Sequence, residues 1–174
     1  LWFGLLISRI GSEMQVVAVA WQTYVLTGSP LSLGLIGLSR FLPVLLFSLI
    51  GGIVADRYDR RKVMLYSQMV MAFFSIILAF TTFSGTVTPS MIYLMIAANS
   101  LAGVFDTPAR QSIVPLLVSK EQFVNAVSLM TTMWHTAIVL GPTISGFIIA
   151  SLDVASVYIF NAFSFLASII AIIL

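Results

Sequence analysis

Arg9, Glu13 and Arg40 stand inside stretches that are otherwise apolar. A charge held in hydrocarbon is costly, so such a side chain faces a cavity or a partner. Arg9 and Glu13 are four residues apart, which puts them on one face of a helix. Glu13, Arg40 and Arg9 are candidate contacts on a substrate or proton path, and Glu13 can pair with Arg9 or Arg40. The competing reading is a buried structural pair that locks the first helix to the second. Arg9 lies nearer an end of its stretch, where its long side chain can snorkel. His135 follows Trp134; an imidazole is a side-chain type that can gain and lose a proton, which suits a proton relay, against the plainer reading of an interhelical hydrogen bond. Asn99, beside Ser100, reads first as an interhelical contact and second as a cavity contact. Nothing here assembles an enzyme: there is no Ser/His/Asp set, no phosphate-cradling glycine loop and no HExxH. One His and no Cys leave no metal site, thiol chemistry or disulfide, and no cofactor is expected.

The elements that carry these residues follow from composition. The chain has 174 residues, of which 60% are hydrophobic and 8% charged. Its mean hydropathy is +1.10. Soluble domains carry about 25% charged residues, and a small soluble fold needs polar cover, so the class is an integral membrane protein. About 20 apolar residues cross a bilayer core of roughly 30 Å. The uncharged runs are 14–39, 41–55, 63–105, 122–152 and 154–174. Turn clusters at Thr27-Gly28-Ser29-Pro30 and Ser84-Gly85-Thr86-Val87-Thr88-Pro89 divide the first and third. The reading is an all-α polytopic bundle of six transmembrane helices over 1–174: about 2–26, 31–55, 63–84, 90–106, 121–151 and 154–174. Ser29 and Thr88 precede prolines as N-caps. Ser119 to Gln122 fits a capping box, and Asp153 caps the last helix.

The loop 56–62 carries Arg57, Arg60, Arg61 and Lys62, and the loop 107–120 carries Arg110 and Lys120, whereas 27–30, 85–89 and 152–153 carry no Lys or Arg. The positive-inside rule then puts the first two loops and the N-terminus in the cytoplasm. The same placement argues against nucleic acid despite a pI of about 9.2, because the basic residues form no face with interleaved aromatics. The first apolar stretch lacks the basic start and cleavage site of a signal peptide. The chain begins without Met and ends inside an apolar run, so a fragment of a longer protein is expected.

Gly52-Ile53-Val54-Ala55-Asp56-Arg57-Tyr58-Asp59-Arg60-Arg61-Lys62 closes the second helix and opens the third. A carboxylate at a helix C-terminus opposes the macrodipole, so Asp56 needs a cation or another helix's N-terminus; Arg60 is the nearest cation. Gly52 offers a close approach to a neighbouring backbone. This segment resembles the loop 2–3 pattern G-x-x-x-D-R-x-G-R-R/K of the major facilitator superfamily, matched at Gly52, Asp56, Arg57, Arg60 and Arg61 and departing at Asp59. Gly141, Pro142 and Gly146 resemble the G-P-x-x-G-G element of exporter branches, with Ser145 in place of one glycine and Ala137 in place of another. Phe105-Asp106-Thr107-Pro108-Ala109-Arg110-Gln111, Asn125-Ala126 and Leu26 to Pro30 resemble the branch of enterobactin-type siderophore exporters and macrolide efflux proteins. Exporters coupled to protons often carry an Arg inside helix 4, and 90–106 holds none.

The resemblance implies the N-terminal six-helix half of a twelve-helix fold, itself made of inverted three-helix repeats, with a C-terminal half completing the protein. It implies a secondary transporter that exports a drug, siderophore or metabolite by alternating access on an ion gradient, protons first, in a bacterial inner membrane. The alternatives are an uptake carrier of the same superfamily, or a membrane subunit or sensor that does not transport. Helices 1, 2, 4 and 5 would face the cavity, and helices 3 and 6, uncharged within those bounds, would face lipid. Gly52, Asp56, Arg57, Arg60, Arg61 and Asp106 would form a cytoplasmic latch in which Asp106, ending helix 4, joins the loop charges. The partners implied are the bilayer, a small-molecule substrate and protons.

Overall fold

The computed structural model describes residues 2–117 and 119–173. Six helices run through them: α1 (Trp2–Thr27), α2 (Pro30–Arg57), α3 (Arg60–Phe83), α4 (Pro89–Leu117), α5 (Phe123–Ser151) and α6 (Val154–Ile173), with a 3-10 turn at Lys120–Gln122 before α5. All six helices are long and apolar enough to cross a membrane. Among the described residues there is no strand. A lipid environment demands this, because each backbone N–H and C=O must be satisfied within its own helix.

The chain breaks where the turn chemistry lies. Gly28 and Gly85 take φ of 62° and 69°, the left-handed conformation that ends a helix and that a side chain would disfavour. The Gly28 N–H donates to the Tyr24 carbonyl at 2.8 Å. Thr88 Oγ1 accepts from the Met91 N–H at 3.3 Å, and Asp153 Oδ1 from the Ser156 N–H at 2.6 Å. Ser29 differs from expectation: it occupies the N-cap of α2, but its hydroxyl makes no cap bond. The capping box at Ser119–Gln122 is also replaced. The Gln122 N–H donates to the Ser119 carbonyl at 3.1 Å, closing the 3-10 turn, and α5 starts one residue later. The exposed Glu121 carboxyl in this turn sits below its ordinary pKa, through its own backbone N–H and then the Ser119 hydroxyl.

Several bounds move outward from the uncharged runs. α2 continues to Arg57 and α3 starts at Arg60, so the turn between them is Tyr58–Asp59. α3 therefore opens with Arg60, Arg61 and Lys62 and is not free of charge. Asp59 stands where the superfamily pattern has Gly, and it earns its place as a cap: its Oδ1 accepts from the Arg61 N–H at 3.0 Å. The largest correction is α4, which runs through Pro108 and Arg110 to Leu117 instead of stopping at 106. Proline inside a membrane helix is tolerated when neighbours satisfy the freed groups. Arg110 is thus a residue of α4, not of a loop. Val118, in the loop expected over 107–120, lies outside the described residues.

The helices pack in pairs. α1 lies against α5 and α6, α4 lies against α2 and α3, and α3 lies against α6. Exchanging α1 with α4, α2 with α5 and α3 with α6 maps this set onto itself. Helices three apart run in opposite directions, so the bundle is an inverted repeat of three plus three. Close crossings recur at matched places. A Cβ on Gly51 of α2 would strike the Val104 carbonyl of α4, and one on Gly141 of α5 would strike Glu13 of α1. Small residues serve this purpose where lipid supplies no hydrophobic drive between helices.

We call the end holding the Tyr58–Asp59 turn the basic end and the opposite one the neutral end. One apolar cluster, with Met14, Ile36, Leu78, Ile96 and Tyr158, fills the neutral half. A second, with Leu5, Ala55, Met64, Ile113 and Ile172, fills the basic half. Arg9, Glu13, Arg40 and Asn99 fall between the two in chain position on their helices.

Candidate functional site

A cavity of about 580 Å³ opens between α1, α2 and α4, with Asn161 of α6 at its wall. Arg9, Glu13, Arg40 and Asn99 all line it. Arg40 and Asn99 are each the eleventh residue of parallel helices that start at the neutral end, so both lie about 15 Å in from that end. Glu13 comes from the middle of α1, which runs the opposite way. Glu13 lies fourteen residues from the neutral end of α1, about 21 Å in, roughly one helical turn deeper than Arg40 and Asn99.

Within the cavity the pairing is uneven. An Arg9 guanidinium nitrogen lies 2.7 Å from Glu13 Oε1, one turn along α1. The same guanidinium stacks 4.3 Å from the centre of the Trp134 ring on α5, a cation–π contact. Arg40 has no carboxylate within 4 Å among the described residues. Of the two partners open to Glu13, the structure uses Arg9. Arg9 Nε and Asn99 Nδ2 are buried and have no hydrogen-bond partner.

His135 lines a second cavity of about 590 Å³, with Trp134, Asp106 and Arg110. Arg9 lines both cavities. No hydrogen bond joins the exposed His135 to another described residue, so the interhelical bond expected of it is not made. Its neighbours on α4 are paired. Asp106, 6% exposed, accepts from Arg110 at 3.1 Å (Nε) and 2.7 Å, and from Gln68 Nε2 of α3 at 3.0 Å. Gln68 Oε1 in turn accepts from Ser8 of α1 at 3.4 Å. Asp106 does not end its helix, and its partners are Gln68 and Arg110 in place of the loop charges. The longer α4 also gives this helix an arginine.

The segment at the basic end divides its work. Gly52 lines the first cavity with open space around it; the close approach expected there belongs to Gly51. Asp56 and Arg57 are exposed on the last turn of α2. Asp56 makes no ion pair with Arg60, because α2 ends at Arg57 and Tyr58 is extended, so the i, i+4 relation of a continuous helix is lost. Arg60 instead donates to the Ser112 carbonyl of α4 at 3.3 Å, tying the start of α3 to the far end of α4. Arg61 enters through its backbone, donating to Asp59.

On α5 the small residues that face α1 are Ala137, Gly141 and Ser145, four apart and buried. Ser145 Oγ donates to the Met14 carbonyl at 3.0 Å. Gly146 has open space around it, so the serine that replaces a glycine carries the contact. Pro142 lies within α5 beside this stripe. Through Gly141, α5 meets the backbone of Glu13 and so sets one wall of the first cavity.

Sequence reading missed a polar ladder between α1 and α3. Ser8 bonds Gln68, Gln15 accepts from Ser75 at 2.8 Å, and Gln22 donates to Thr82 at 2.9 Å. Each rung joins residues sixty apart, and the rungs repeat every seven residues on both helices. α6 completes them: Asn161 donates to Gln15, and the Tyr158 hydroxyl donates to Gln22 at 2.7 Å. The matched seven-residue spacing was present in the sequence as its signal. Among the described residues no group of acidic or histidine side chains is arranged to hold a metal ion.

A helical bundle with six candidate spans and a cavity lined by charges defines a polytopic membrane protein. The family model described as "Transmembrane secretion effector" matches residues 1–174. The chain therefore belongs to that family, within the major facilitator superfamily. It is 27% identical to macrolide efflux protein A of Streptococcus pyogenes, across 91% of this chain and 44% of the relative. It is 25% identical to the staphyloferrin A transporter of Staphylococcus aureus, across 92% of this chain and 41% of the relative. Against the multidrug efflux pump Tap of Mycolicibacterium fortuitum it is 25% identical, across 98% of this chain and 43% of the relative. The chain spans under half the length of the curated relatives it matches.

Proposed function

We propose that the chain is the N-terminal six-helix half of a secondary transporter that exports a small molecule by alternating access on an ion gradient, protons being the first candidate. The observation that carries this reading is the cavity between α1, α2 and α4, with Arg9, Glu13, Arg40 and Asn99 on its wall. Structural pairing accounts for Arg9 and Glu13 but leaves Arg40 without a partner inside an apolar bundle, where an idle charge is costly. Relatives named for macrolide efflux and multidrug efflux support export as the direction.

The basic end faces the cytoplasm of a bacterial inner membrane. Arg57, Arg60, Arg61, Lys62 and Lys120 support this orientation, and Arg110 is withdrawn from the count because it is paired within α4. At that end Gly52, Asp56, Arg57, Arg60 and Arg61 form a latch against the second half, and Asp106 with Gln68 braces the helices behind it. Asp56 is exposed at the C-terminal turn of α2, where the macrodipole disfavours it, so a helix N-terminus across the interface would be a favourable partner. Coupling needs only a few kcal/mol of difference between states.

The full-length protein in proteoliposomes tests this. An imposed proton gradient should drive flux of at least one member of a panel holding an organic acid, a neutral amphiphile and a lipophilic cation, and Asp56→Asn should slow turnover without changing affinity. A cysteine at position 60 should react only from the cytoplasmic side in cells. Flux that ignores every imposed gradient, or external labelling at position 60, would contradict the reading.

A further inference from the structure

We infer that the cavity between α1, α2 and α4 receives an anionic group of the substrate, a carboxylate, on Arg40. The inference takes the transport reading as its frame and names the chemistry of the same site. Arg9, Arg40 and Glu13 are the charged residues of that cavity, so it holds two cations against one anion. Glu13 is engaged by Arg9 at 2.7 Å, and Trp134 covers the same guanidinium. Arg40 is left with no carboxylate within 4 Å among the described residues. It comes from a different helix, α2.

The hydrogen-bond inventory points the same way. No side-chain hydrogen bond joins Arg40 to another described residue, whereas the unpartnered Arg9 Nε and Asn99 Nδ2 are sealed inside the protein and closed to a ligand. A guanidinium offers donors only. The missing component is therefore negative and rich in acceptors. A carboxylate meets a guanidinium in a bidentate fork. A cationic substrate would instead meet two arginines with the one carboxylate already taken. The rest of the wall, including Val16, Val44 and Ile96, is apolar and would hold the body of an amphipathic acid.

The test is equilibrium binding to the full-length protein in lipid nanodiscs, with empty nanodiscs as background. The probes are radiolabelled salicylate, its uncharged isostere salicylamide, and tetraphenylphosphonium as a lipophilic cation. Salicylate should bind at least about tenfold more tightly than salicylamide. Arg40→Gln should weaken salicylate by about tenfold or more, Arg40→Lys should restore part of the loss, and tetraphenylphosphonium should not compete. No salicylate binding, equal affinity for acid and amide, or unchanged affinity in Arg40→Gln would each overturn the inference. If thermal unfolding shows that Arg40→Gln does not fold, the acid-to-amide ratio of the unsubstituted protein decides. Flux in proteoliposomes separates the two readings. Salicylate binding at Arg40 without gradient-driven flux upholds the inference and defeats transport; gradient-driven flux of tetraphenylphosphonium that survives Arg40→Gln does the reverse.

Discussion

α2 meets α4 at Gly51, and α5 meets α1 at Gly141, and the inverted repeat makes these two crossings counterparts. Their surroundings differ. Gly51 presses on the carbonyl and the apolar side chain of Val104. Gly141 presses on Glu13, and one turn away Ser145 bonds the Met14 carbonyl. The first three helices also hold most of the cavity charge, with Arg9, Glu13 and Arg40, whereas the last three hold Asp106 and Arg110 as a closed pair. Shared packing has thus been kept while chemistry was placed on one side. Each repeat carries one ion pair at 2.7 Å, Arg9 with Glu13 and Arg110 with Asp106, and the first repeat adds Arg40, which has no carboxylate within 4 Å among the described residues.

The strongest way to break this contrast is at the closed pair. Arg110→Met leaves Asp106 buried with Gln68 alone, and should cost about 3–5 kcal/mol, read as a large drop in thermal unfolding temperature of the full-length protein. The double change Asp106→Asn with Arg110→Met should recover most of it. A single change without effect would mean that the pair is open to water. Next come the crossings. Gly51→Leu and Gly141→Leu should each cost about 1–3 kcal/mol or more by overpacking, while Gly52→Leu and Gly146→Leu, in open space, should leave stability near that of the unsubstituted protein. Only Gly141→Leu should also impair flux beyond its loss of stability, since it displaces Glu13. Equal flux per folded molecule at both crossings would erase the contrast.

Smaller effects sharpen the account of the ladder. Gln15→Leu removes the acceptor of Ser75 and Asn161 and should cost about 1–2 kcal/mol, measured by thermal unfolding in detergent. Ser8→Ala, with its long 3.4 Å bond, should cost least of the rungs. Asp59→Ala should cost about 1 kcal/mol through loss of the α3 cap, and a neutral result would mean that the turn is held by Arg60 alone.

Much of this architecture was legible because membrane helices announce themselves. Six apolar stretches and the breaks at Gly28 and Gly85 follow from hydropathy and turn chemistry. Arg9, Glu13, Arg40 and Asn99 could be singled out because polar groups in apolar runs are few, and the structure gathers them on one cavity. The end of α4 was not legible. Pro108 and Arg110 look like loop residues until Asp106, one turn earlier, supplies the partner that lets the arginine stay inside. Gly51 and Gly52 cannot be told apart by composition, since which of them faces α4 depends on how α2 is rotated. His135 has the same difficulty: type alone does not say which wall it faces. The ladder was visible only as two separate seven-residue spacings, and joining them requires knowing that α1 and α3 lie on a common side of α6.

The central claim is that the charges of the first cavity act on a substrate and do not merely hold α1 in place. Gradient-driven flux by the double variant Arg9→Leu with Glu13→Leu, in proteoliposomes and corrected for folded protein, tests it most directly. Removing both partners leaves no buried charge unpaired on α1, so the variant should fold. The account predicts that it folds and that its flux falls by at least about tenfold. Flux equal to that of the unsubstituted protein would contradict the claim and reduce Arg9 and Glu13 to a structural pair.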